Sequence, residues 1–81
     1  MANVVFEADR FWGDIERAVA REGVSWRGLA SRIEVDPSTI APKTRSKMPS
    51  IEVAGALSRW ALVALDEYIV EPFNLTHPMR Y

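Results

Sequence analysis

The sequence predicts an all-α domain, a compact bundle of four to five short helices. Three observations carry that prediction. Apolar residues recur at spacings of three and four, first before Gly23 and again after Ser50. Capping and stopping residues punctuate the stretch between. The chain has 81 residues, 48% of them hydrophobic, which suits one small globular domain and not a disordered segment.

The first helix is expected at about 8–22. Asp9 stands as its cap, and Phe6 just upstream can pack back on it. Phe11, Ile15, Ala18, Val19 and Glu22 line one face, while Asp14, Arg17 and Arg21 lie on the wet side. Gly23 is a natural stop because glycine takes up positive φ after a helix. Ser25 caps a second helix at about 26–33, with Leu29, Ala30 and Ile33 buried. Asp36-Pro37 is a further start signal, Asp as cap and proline at the first helical position. That third helix carries Ser38, Thr39, Ile40 and Ala41. Pro42 cuts it to a stub, because proline cannot donate to the Ser38 carbonyl. A loop runs from Pro42 to Pro49. Ser50 then caps a segment in which Ile51, Ala54, Leu57, Ala61, Leu65 and Tyr68 keep helical spacing. Val53, Trp60, Leu62, Val63 and Ile69 lie off that line. The segment either breaks near Leu62 or runs on as one helix with a second face against a partner. Glu71-Pro72 ends it, so the domain is read as 1–71, with 72–81 as an extended arm.

Composition narrows the chemistry. With no cysteine and a single histidine, His77, there is no disulfide framework, thiolate metal site, thiol nucleophile or two-histidine metal motif. No metal or cofactor is expected, and no small-molecule ligand. Asp66 and Glu67 are sequence neighbours and do not face each other on a helix. No motif places a base for Ser25. The chain is therefore read as a non-enzyme. No apolar run reaches the roughly 18 residues of a membrane span, and Met1–Phe6 lacks the pattern of a signal peptide. The expected setting is the cytoplasm, without membrane contact.

The net charge is −1, from ten basic and eleven acidic residues. Taken alone, that argues against a nucleic-acid binder. The distribution reverses the impression. Residues 37–51 hold Lys43, Arg45 and Lys47 and no acid, with acidic sequence on both sides. For a polyanion a local patch matters more than the sum.

That window adjoins two short helices separated by Glu34-Val35-Asp36. Ala30 is small enough to let two backbones approach, and Val35 and Ile40 can anchor the turn and second helix. This meets the physical requirement of a helix-turn-helix. Gly23-Val24-Ser25, Leu29-Ala30 and Val35-Asp36-Pro37-Ser38-Thr39-Ile40 resemble the Cro/CI-type (XRE-like) helix-turn-helix repressors. Pro49-Ser50-Ile51-Glu52, Ala56-Leu57 and Leu65-Asp66-Glu67-Tyr68 resemble the later helices of that family. The likeness covers about residues 8–70 and departs in three places. Glu34 stands where the turn usually opens with glycine. Pro42 interrupts the recognition helix. Leu62 and Ala64 replace a usual Gly and Ser, which favours a continuous last helix.

The resemblance implies a lambda-repressor-like bundle that acts as a dimeric, sequence-specific DNA-binding repressor on an inverted-repeat operator, in a bacterium, phage or mobile element. It places Pro37, Ser38 and Thr39 at the base-facing start of the recognition helix. Lys43, Thr44, Arg45 and Lys47 would follow as loop contacts to phosphates, or to a guanine from Arg45, and Arg27 would hold a flanking phosphate. A homodimer is expected because one small module buries too little DNA surface. Trp60, Tyr68 and Phe73 offer material for its interface. Trp12 and Trp60 read as core or interface residues, and Trp26 as a packing or surface aromatic. The rival reading is a protein-binding helix-turn-helix, an antiactivator or antitoxin-like module. The acidic sum and the broken recognition helix favour it.

Overall fold

The structure, a computed structural model, describes residues 4–70. It is mostly helical: β1 (Val5–Phe6), α1 (Ala8–Glu22), α2 (Trp26–Arg32), α3 (Ile51–Ala61) and β2 (Ile69–Val70). Three 3₁₀ turns, Pro37–Ile40, Pro42–Thr44 and Leu65–Tyr68, fill the intervals. The expected 72–81 arm, with Phe73, lies outside the described residues. Among those described, no helix is long and apolar enough to cross a membrane.

The all-α expectation is corrected by β1 and β2. They pair antiparallel, Val5 with Val70 and Phe6 with Ile69. The Glu7 N–H continues the ladder to the Tyr68 carbonyl at 2.7 Å. That bond fixes where α1 begins. Glu7 stands at the N-cap position without a side-chain cap bond, so Asp9 is not the cap. Asp9 lies instead in the first helical turn, where a carboxylate complements the helix dipole. At the other end Gly23 adopts φ 68°, and the Gly23 and Val24 N–H groups both donate to the Val19 carbonyl. This double closure needs a left-handed residue, for which glycine carries no Cβ penalty.

The core is built by α1 and α3, with α2 closing one side. Phe11, Trp12, Ile15, Ala18 and Val19 of α1 are buried, with Leu29 and Ala30 of α2 and Ile40 of the first 3₁₀ turn. From α3 come Val53, Ala54, Leu57 and Ala61. Ile51, which keeps helical spacing with Ala54 and Leu57, is 69% exposed, and Val53 takes the inward position. The Ser50 hydroxyl accepts from the Val53 N–H, as its capping role requires.

The last helix does not continue. α3 ends at Ala61, and Leu62 caps it in the left-handed region at φ 61°. For a leucine this conformation costs about 1–2 kcal/mol. The chain turns there so that Tyr68 can enter the core, where it is 1% exposed. Burying an aromatic removes roughly 150–250 Å² from water, worth about 4–6 kcal/mol at about 25 cal/mol per Å² as an upper estimate. Packing of Tyr68 therefore outweighs local backbone preference. Tyr68 is a core residue with almost no surface to offer a second copy, contrary to its expected interface role.

Candidate nucleic-acid interface

The segment from Ser25 to Lys47 is ordered by short-range hydrogen bonds. Ser25 caps α2 by accepting from the Gly28 N–H at 2.9 Å. After α2 the chain reverses at Glu34, which adopts φ 61°, the conformation glycine would supply more cheaply. The Val35 N–H then closes the turn on the Ala30 carbonyl at 3.0 Å. Asp36 accepts from the Ser38 N–H at 2.9 Å. The Ser38 amide and hydroxyl together hold the Asp36 carboxyl below the usual carboxylate range. Ile40 drops into the core and fixes this turn against α2.

Beyond Asp36 the expected α-helical stub is a 3₁₀ turn. Pro42 is the cause. A residue preceding proline is pushed to extended backbone, and Ala41 has φ −70° and ψ 162°. The interval expected as a loop restarts as the second 3₁₀ turn, Pro42–Thr44.

Of the expected contact residues, Arg27, Pro37 and Arg45 line one cleft, and Thr39, Thr44 and Lys47 line another. Ser38, Lys43 and Lys47 are exposed, as are Pro37 and Arg27. Thr39 is half-buried, and its hydroxyl donates to the Asp36 carbonyl at 2.6 Å. Its oxygen can still accept from a base, but its proton is committed. Thr44 departs further from its expected role. Its hydroxyl points inward, 2.8 Å from the Ala41 carbonyl and 3.2 Å from that of Thr39. It ties the two 3₁₀ turns together.

Two tryptophans hold the basic segment in place. The Trp12 indole N–H donates to the Lys47 carbonyl at 2.8 Å, anchoring the end of the segment to α1. Trp26 lies beneath Arg45, whose guanidinium carbon is 4.0 Å from the ring centroid. The two indoles contact each other at 6.4 Å. A shallow cleft of about 230 Å³ opens between Trp26, Arg27, Pro37, Pro42 and Arg45. Sequence reasoning read Trp26 only as a packing or surface aromatic. No local pattern pairs it with a residue nineteen positions on. Trp60 is half-buried and walls a groove with Arg32, Ile33 and Arg59, away from the basic segment in sequence.

Comparison with protein-family models, with curated proteins and with solved structures returned no match. The geometry of this surface therefore carries the functional argument alone.

Proposed function

We propose that this chain is a sequence-specific DNA-binding regulator of the Cro/CI-like helix-turn-helix type, acting as a dimeric repressor in the cytoplasm. The observation that carries the reading is the acid-free segment bearing Lys43, Arg45 and Lys47, tied down close in sequence to a capped turn with exposed Pro37 and Ser38 and half-buried Thr39. Cations on a tethered backbone beside small polar side chains suit a duplex: the cations meet phosphates, and the hydroxyls meet base edges. With its hydroxyl proton engaged, Thr39 would read bases through its oxygen and methyl group. Ser38 is the more exposed of the two, with its hydroxyl shared with the Asp36 carboxyl. α2 and the Pro37–Ile40 turn would form the two limbs of the motif, with the second in 3₁₀ geometry.

Selection of binding sites from random duplex DNA tests this directly. An enriched inverted repeat is expected. Replacing Lys43, Arg45 and Lys47 together by alanine should weaken binding to every sequence and flatten its salt dependence, because fewer counterions are released. Replacing Thr39 should change which sequences are preferred.

A protein-binding module is the second reading. Met48 and Ile51, 61% and 69% exposed, lie directly after the basic segment and favour it. A folded protein that enriches no sequence at low or moderate salt would overturn the first reading and favour this one.

A further inference from the structure

The three cations of the segment are not equivalent. Lys43 and Lys47 are exposed, and their ammonium groups make no hydrogen bond among the described residues. Arg45 is half-buried, and its guanidinium carbon sits over the Trp26 ring. Among the described residues the ion pairs join Arg10 to Glu7, Arg17 to Asp14 and Arg21 to Glu22. No acid there claims Arg45, and its enclosed Nη1 meets no acceptor. Among the described residues, Arg45 thus holds a guanidinium over an aromatic ring without a counter-charge, at the edge of the cleft that also includes Arg27.

We infer that Trp26 is a positioning residue, which fixes the Arg45 guanidinium as the principal clamp for one backbone phosphate of duplex DNA. The inference rests on the DNA-binding reading and deepens it. A flexible lysine must lose rotamer freedom when it meets a phosphate, whereas a planar fork already stacked on an indole has less to lose. Contact with the ring also restricts how the guanidinium can turn, and two-pronged contact with phosphate, through the nitrogens other than the enclosed Nη1, depends on that orientation. Trp26 is itself held by Trp12, which anchors Lys47 as well. The clamp is therefore tied to α1 and does not move with the loop alone.

The test is a double-mutant cycle, read by titrating a labelled duplex carrying the selected site at several salt concentrations. Thermal melts confirm that each variant is folded. Arg45→Lys, which keeps the charge and loses the stack, should weaken binding about tenfold. Lys43→Ala should weaken it about threefold or less. Trp26→Ala should match the Arg45→Lys loss, and Trp26→Phe, which keeps a ring, should restore most of it. In an Arg45→Ala background, Trp26→Ala should cost nothing further, because the two act as one unit. Arg45→Ala should also lower the salt slope by about one while leaving sequence preference unchanged. Additive losses, or Arg45→Lys binding like wild type, overturn the clamp and leave the DNA reading standing. A preference altered at one base pair makes Arg45 a base contact and overturns the phosphate assignment. Failure of the wild-type chain to bind any duplex removes both.

Discussion

Glu34 and Leu62 both adopt φ 61°, and neither is the glycine that such a conformation favours. Each does so because its neighbours are fixed elsewhere: Val35 by the Ala30 carbonyl, and Leu62 by the return of Tyr68 to the core. Leu62 is 90% exposed, so its side chain gains little from the fold that strains its backbone. Leu62→Gly is expected to stabilise the protein by about 0.5–1 kcal/mol, which raises Tm by about 2–8 °C. Glu34→Gly should act in the same direction. Melting followed by circular dichroism measures both. A lower Tm for Leu62→Gly would show that its side chain is used, contrary to its exposure.

At the scale of elements, Pro42 decides the shape of the proposed recognition surface. Pro42→Ala returns a backbone donor and frees Ala41 from extended geometry. The far-ultraviolet spectrum should gain helical signal, and the selected DNA sequence should shift as Ser38 and Lys43 are re-aimed. An unchanged spectrum would mean that the Thr44 and Trp12 bonds hold the break by themselves. The same contrast explains what was legible in the sequence. Ser25, Asp36-Pro37 and Ser50 announced their helix starts because each cap bond closes within three residues. Gly23 marked its stop for the same local reason. The break at Leu62 bore no such mark, since neither glycine nor proline occupies it and only distant packing selects it. Strands of two residues are too short to alternate. The cations of the basic segment stood out as charges. That one of them would be stacked, and one threonine turned inward, depended on partners from α1 and α2 that spacing does not reveal.

At the scale of the whole molecule, a side-chain hydrogen bond ties the last 3₁₀ turn to α1 beside the strand ladder. The Tyr68 hydroxyl donates to an Asp14 oxygen at 2.5 Å, and Arg17 pairs with the same carboxylate. Burial raises the Tyr68 pKa, with Arg10 opposing the shift. The stabilisation from this raised pKa is complete below the unfolded value of about 10 and is lost as pH climbs through the folded one. Tyr68→Phe should cost about 1.5 kcal/mol near neutral pH and flatten the alkaline fall in stability. Denaturant titrations at pH 7 and above pH 10 read both effects. An alkaline slope identical to wild type would assign the loss to other groups.

Phe6, Phe11 and Tyr68 meet beside the two-stranded ladder, with ring centroids 5.2–6.5 Å apart. Because Val5 faces Val70 in antiparallel register, the chain leaves both strands from the same end of the ladder. Tension applied to those two strands would peel their hydrogen bonds apart one after another instead of shearing them together. The ladder is thus the mechanically weak seam of the molecule, and opening it uncovers Phe6 and Tyr68 first while the cations held by Trp12 and Trp26 stay in place.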